Sequence, residues 1–212
     1  MSGMKGMRIG MFGGSFHPPH LGHLRAAEFF AASYCLQKVL IFPAGISPLK
    51  EPLQGVSGED RLALCILTFP KEFCEVCDWE LRREGPSYTI DTLRHVREEY
   101  PEAKLFLLIG EDQHAQFRQW KNWQEILELA ELVVLPRDRR CDQGKSWTRA
   151  APQERGIYAV RNKEGGGFVP LPISSTELRI RLARGEEVSA YLAPEALQYI
   201  HERGLYDTTG LP

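Results

Sequence analysis

Apolar and polar positions along the chain come in blocks that switch between strand-like and helix-like spacing. Residues 7–12 form an apolar run broken by Gly10, which predicts a short buried strand. Gly13-Gly14 then marks a turn, and a helical pattern begins at Leu21 and carries through residues 24–36. VLIFP, residues 39–43, predicts a second buried strand, so a strand-helix-strand unit closes within about forty residues. A Gly/Pro-rich loop covers residues 44–58. Ser57 with Asp60 predicts a capping box for a helix ending at Phe69, with Leu62, Ile66 and Phe69 on one face.

The same alternation continues. Residues 73–81 predict a strand, and PSYT, residues 86–89, opens a helix to about Tyr100. KLFLLIG, residues 104–110, is continuous and apolar, as a central parallel strand should be, and ends in Glu111-Asp112. The aromatic segment FRQWKNW, a helix over 123–130 and a strand over 131–137 follow. Residues 138–155 are polar and aperiodic, the expectation for a flexible loop or insertion. GGGFVPLP predicts a short strand leading into ISSTELRIR, a helix start that Ser174 or Ser175 could cap with Glu177 as partner. PEALQYIHERG is a last helix, with Pro194 in its first turn and Gly204 at its stop.

Alternating strands and helices predict an α/β fold, a doubly wound parallel sheet of five or six strands with helices on both faces. We expect one domain over residues 1–212, with 1–6 as an N-terminal extension and 207–212 as a frayed tail. A net charge of −2 gives no polyelectrolyte signal, so no nucleic-acid polymer and no membrane surface is expected as partner. Without an h-region or an apolar run of about 18 residues, the expected location is cytoplasmic. Five cysteines, an odd number, read as reduced thiols, and the Cys74/Cys77 pair lacks a second pair at zinc-ribbon spacing. The oligomeric state stays open, a homo-oligomer being compatible with the pattern.

The candidate chemistry concentrates in residues 9–23, IGMFGGSFHPPHLGH. Two glycines between strand and helix let backbone approach a ligand, and their N–H groups with those of the helix start would form an anion site. Neither the Walker nor the dinucleotide spacing is present. His20 and His23, three apart in the first helical turn, would share one face and can each donate an N–H to a phosphate oxygen. Pro18 and Pro19 hold the entry segment extended, keeping His17 off that face, and no carboxylate adjoins, so no metal site is expected.

HPPHLGH resembles the HxGH signature of the nucleotidylyltransferase superfamily, and ISSTELR resembles its second signature, ISSTxIR, with Leu178 where isoleucine is usual. PSYT followed by IGEDQ and a tryptophan resembles one branch, the bacterial nicotinate mononucleotide adenylyltransferases. The resemblance implies a Rossmann-like nucleotidyltransferase fold and transfer of adenylyl from ATP to nicotinate mononucleotide, releasing pyrophosphate in NAD synthesis. It implies catalytic roles for His20, His23 and Arg179. It places ATP on Gly13, Gly14, Ser15, Phe16, His20, His23, Lys50, Gly110, Asp112, Ile173, Ser174, Ser175 and Arg179. It places the nicotinate nucleotide on Gly14, Ser15, Ser87, Tyr88, Thr89, Trp120, Lys121 and Arg137, with Trp120 stacking on the ring. Asn122 and Glu125 would make a capping box that turns N–H groups near residues 121–123 toward a carboxylate. Mg²⁺ is expected with the phosphates.

The pattern departs from the family in three places. His17 stands where aspartate or asparagine is common, GISPLK replaces the usual loop around Lys50, and residues 138–155 match nothing in it. The competing readings are an adenylyltransferase for nicotinamide mononucleotide or another phosphorylated acceptor, and a catalytically silent nucleotide-binding regulator. A tRNA-charging module lacks its lysine loop and a basic surface.

Overall fold

The structure, a computed structural model, describes residues 6–46, 55–135, 157–159, 168 and 170–207. Six strands form one sheet: β1 (Arg8–Gly14), β2 (Lys38–Pro43), β3 (Cys74–Val76), β4 (Lys104–Gly110), β5 (Glu131–Leu135) and β6 (Ile157–Ala159), in the order β3-β2-β1-β4-β5-β6. The pairings of β4 with β1 and with β5, and of β5 with β6, are parallel, with Ile9 opposite Leu105 and Leu107 opposite Leu132. Order reverses between β1 and β4, the point at which open α/β sheets bind ligands beyond their carboxyl ends. The helices are α1 (Leu21–Tyr34), α2 (Gly58–Thr68), α3 (Trp79–Arg82), α4 (Thr89–Glu99), α5 (Glu111–His114), α6 (Trp123–Leu129), α7 (Ser175–Ala183) and α8 (Pro194–Glu202).

The chain divides into two compact units: Met1–Gly13, Ala26–Leu40 and Tyr88–Pro170 in one, Gly14–Arg25, Ile41–Ser87 and Leu171–Pro212 in the other. In the first, Leu105, Phe106, Leu107, Leu108 and Ile109 of β4 are all buried, as their unbroken apolar run requires of a strand covered on both faces. Gly10 on β1 permits close packing of α1: a Cβ there would lie 2.5 Å from the Phe30 ring and 2.7 Å from Leu36. In the second unit, Leu64 of α2, Leu178 and Leu182 of α7 and Ala196 and Ile200 of α8 build one core with Val188, Leu192 and Leu205.

Several boundaries differ from expectation. Gly13 and Gly14 end β1 rather than forming the turn, and the chain bends at His17 and Pro18. The strand expected over 73–81 closes after Val76, because Asp78 starts the short α3. On α2 the buried face carries Asp60, Arg61, Leu64, Cys65 and Thr68, whereas Ile66 is 45% exposed. Two of the polar groups on that inner face find partners there, Asp60 with the capping Ser57 and Arg61 with a loop carbonyl, while the buried Thr68 hydroxyl has none. Phe168 and residues 170–172, expected in a strand, lie in none, and residues 138–155 and 208–212 fall outside the described residues.

Candidate active site

The segment joining β1 to α1 is held by its carbonyls. Arg61 Nη1 donates to the Ser15 carbonyl at 2.9 Å, Arg179 Nη1 to the His17 carbonyl at 2.7 Å, and Ser175 Oγ to the Pro18 carbonyl at 2.8 Å. A bare carbonyl oxygen repels an anion, so engaging three of them leaves the segment's donors to dominate its field. Phe16 sits at φ 43°, a left-handed conformation uncommon for a side chain of that size. Its buried ring is locked edge-on against His23 at 5.1 Å and Phe69 at 5.6 Å, which over-determines the strained backbone.

His20 is the N-cap of α1, since its carbonyl accepts from the N–H groups of His23 at 2.8 Å and Leu24 at 3.2 Å. The two imidazoles stack with centroids 3.8 Å apart. His20 Nδ1 accepts from the Gly22 N–H at 3.1 Å, and His23 Nδ1 accepts from the His20 N–H at 3.2 Å. A neutral imidazole carries one donor and one acceptor nitrogen, so this geometry assigns the proton of both rings to Nε2.

The expected cradle of helix-start N–H groups is therefore corrected. Leu21 donates to the Tyr191 carbonyl, Gly22 to His20 Nδ1 and His23 to the His20 carbonyl, so these backbone groups are already engaged at this end of α1. Gly22, which the sequence pattern contains but assigns no role, is required by this packing: a Cβ there would meet His20 Nδ1 at 2.8 Å and Cε1 at 2.9 Å.

On the ISSTELR segment, Ser174 is the N-cap, accepting from the Glu177 N–H at 3.1 Å. Ser175 donates its hydroxyl proton to the Pro18 carbonyl, and its backbone N–H, in the first turn of α7, has no intrahelical acceptor. Arg179 uses two of its five N–H groups, on the His17 carbonyl and Thr176 Oγ1. Ile173 packs against the Leu178 core. Arg61 was not foreseen; the signal in the sequence is a lone arginine in register with Leu64, Cys65 and Thr68. Burial, with Arg179 and Arg61 adding to it, holds the His17 imidazole down to about 4, so the ring is neutral.

A second cluster lies in the other unit. Tyr88 precedes α4 as its N-cap without a side-chain bond, and Thr89 is the first helical residue. Lys121 Nζ sits 4.4 Å from the Tyr88 ring centroid and 3.2 Å from Asp91 Oδ2. Trp120, half-buried, leans on the buried Phe117 ring at 5.4 Å. The Asn122 capping box does not form: Asn122 is at φ 52°, and its amide donates to Glu125 Oε2 at 3.1 Å instead of its carbonyl receiving the Glu125 N–H. Glu125 is turned outward by Arg94, which grips it with two bonds of 2.7 and 2.6 Å. The Gly110 N–H is taken by Gln113 Oε1 at 3.3 Å, and Asp112 is exposed on α5. Ser87, in the first cluster's unit, braces the chain after β2, accepting from the Gly45 N–H at 3.0 Å. Lys50 and Arg137 lie outside the described residues.

Residues 11–181 match the cytidylyltransferase-like family. The chain is 38% identical over 205 residues to a protein named probable nicotinate-nucleotide adenylyltransferase from Chlorobium phaeovibrioides, covering 94% of this chain and 99% of that one. It is 36% identical to a protein of the same name from Shouchella clausii, covering 94% and 96%. The fold is similar to that of Plasmodium falciparum nicotinic acid mononucleotide adenylyltransferase complexed with NaAD, with a TM-score of 0.71 and 17% identity over 94% of this chain and 97% of that one.

Proposed function

Because the chain belongs to the cytidylyltransferase-like family, we propose that it transfers the adenylyl group of ATP to nicotinate mononucleotide, forming nicotinate adenine dinucleotide and pyrophosphate. The observation that carries the chemistry is the pair of stacked imidazoles at the start of α1, each accepting at Nδ1 and so carrying its proton on Nε2. An acceptor phosphate oxygen attacks the ATP α-phosphorus, a new P–O bond forms, and the bond to the β-phosphate oxygen breaks as pyrophosphate leaves. The acceptor phosphate has a second pKa of about 6 and is already ionised at neutral pH, so no general base is needed. Catalysis then consists of positioning and of stabilising charge on oxygen.

In this reading His20 and His23 donate to the α-phosphate, and His23, only half-buried, is the principal donor. Arg179 and the first-turn N–H groups of α7 hold the phosphates that leave, a role that the resemblance extends to Lys50. Gly13, Gly14, Ser15 and Phe16 shape the phosphate path, and Ser174 and Ile173 set the start of α7. Gly110 and Asp112 close the carboxyl end of β4, where Asp112 accepts from a ribose hydroxyl. Trp120 and Tyr88 offer ring faces to the pyridine, and Thr89, Lys121 and Arg137 answer its carboxylate. Mg²⁺ enters on the ATP phosphates and offsets their charge; among the described residues no group of three His, Cys, Asp or Glu is arranged to hold a metal ion.

Pyrophosphate release from Mg-ATP with nicotinate mononucleotide, run beside nicotinamide mononucleotide and a blank without acceptor, tests the proposal. Release with the acid well above the amide is expected, because donors placed for a carboxylate stay unpaired against an amide NH₂. Release with the amide alone would overturn the acceptor, and none with either would overturn the chemistry.

A further inference from the structure

The chain that leads into α4 is tied back to the loop after β2. Ile46 and Pro86 form an isolated parallel bridge. Ser87 fastens it in both directions: its N–H donates to the Ile46 carbonyl at 2.8 Å, and its Oγ accepts from the Gly45 N–H at 3.0 Å. One residue earlier, the Ala44 N–H donates to the Gly14 carbonyl at 2.9 Å. Residues 44–46 thus link Gly14, the last residue of β1, to Ser87, the residue before the Tyr88 N-cap of α4. Hydrogen bonds are directional, and two of opposite sense at adjacent positions remove the pivot that one alone would leave.

The space around Gly45 is closed as well. A Cβ there would lie 2.7 Å from the carbonyl oxygen of Glu80 on α3 and 3.2 Å from Ser87 Oγ. The first of these is main chain and cannot swing aside, so only glycine lets the residue 45 N–H reach Ser87 from this position. Ser87 is half-buried, and its oxygen already holds that backbone donor.

We propose that Ser87 is a positioning residue for the acceptor: with Gly45 it anchors the chain entering α4 to residues 44–46, and through Ala44 to Gly14, so that Tyr88 and Thr89 are presented in place without Ser87 touching the acceptor itself. The acceptor part of this rests on the adenylyl-transfer reading above. The anchor itself does not. A segment already in order does not have to be ordered by its ligand, so loss of the anchor weakens acceptor binding before it weakens ATP binding.

Two measurements on Ser87→Ala separate an anchor from a direct contact. In backbone amide exchange followed by NMR, the Gly45 N–H should exchange about tenfold faster or more than in the wild-type protein. In steady-state assays, KM for nicotinate mononucleotide should rise about tenfold while KM for Mg-ATP stays within about threefold of wild type. Unchanged exchange at Gly45 would overturn the anchor whatever the activity, and with a raised KM it would make Ser87 a ligand of the acceptor. Faster exchange with an unchanged KM would overturn the positioning role. Gly45→Ala approaches the same bond from the other side and keeps the Ser87 hydroxyl. It should raise the same KM, and the double variant should be no worse than the more severe single one, because both break one bond. Penalties that multiply would overturn the shared role. If Gly45→Ala does not fold, the paired readings on Ser87→Ala decide alone. A wild-type protein without pyrophosphate release would remove the adenylyl-transfer reading and leave the exchange result to judge the anchor.

Discussion

The cluster around His20 and the cluster around Tyr88 are fastened in opposite ways. In the first, side chains from 46 to 162 residues away reach main-chain carbonyls, and the residues they hold are largely buried. In the second, side chain grips side chain at the surface: Lys121 with Asp91, Arg94 with Glu125 and Asn122 with Glu125. A bond to a carbonyl fixes the backbone itself, whereas an exposed ion pair fixes two flexible stems and is screened by salt. The difference suits the two tasks proposed for these clusters. Phosphorus chemistry needs donors placed to a fraction of an ångström, while recognition of the acceptor ring tolerates side-chain adjustment.

If that contrast holds, the largest losses come from the first cluster. His23→Ala should lower turnover about 100-fold or more with little change in unfolding temperature, since it removes a donor aimed at developing charge; a variant with normal turnover would remove the mechanism. Gly22→Ala tests the packing behind it. Its Cβ would fall 2.8 Å from His20 Nδ1, and the ring must move and release the Gly22 N–H. Turnover should fall by about tenfold to 100-fold, the penalty for a misplaced catalytic group. Unaltered kcat would show that His20 need not stand where it does.

The sequence reported these two clusters unequally. The helix starts of the first were legible because prolines and capping residues at short spacing have local geometric meaning, and β4 was legible because a continuous apolar run admits few alternatives. The clamp was not. Arg61 and Ser175 act on carbonyls far along the chain, and a polar residue on an inner helix face reads as a break in amphipathicity until its partner is visible. Asn122 shows the converse failure. Its spacing to Glu125 fits a cap, but the left-handed backbone and the competing Arg94 turn the carboxylate elsewhere.

A smaller effect is expected in the second cluster. Trp120→Ala should raise KM for nicotinate mononucleotide about tenfold or more, in line with about 1–3 kcal/mol for stacking a heterocycle on an aromatic ring. KM for Mg-ATP should stay near wild type. A parallel rise in both constants would mean that Trp120 supports the fold through Phe117 and Trp123 rather than meeting the ring.

The smallest effects separate two carboxylate–arginine contacts of similar chemistry. Asp60 is buried on α2 and bonds Ser57, Tyr199 and Arg203, joining α2 to α8. Those bonds, the one from Ser57 first, hold its carboxyl below the ordinary value. A folded-state pKa below the unfolded one means that the unfolded chain takes up protons first on acidification, so this stabilisation is present above about pH 4 and is lost as pH falls below it. Asp60→Asn should therefore unfold at a lower temperature than wild type at pH 7, with the gap closing toward pH 3. The exposed Arg94 contact should contribute little, and Arg94→Ala should leave the unfolding temperature near wild type at both values. A gap that stays constant with pH for Asp60→Asn would mean that Asp60 supports α8 through packing and not through its charge. A large loss in Arg94→Ala would show that the second cluster is as firmly built as the first.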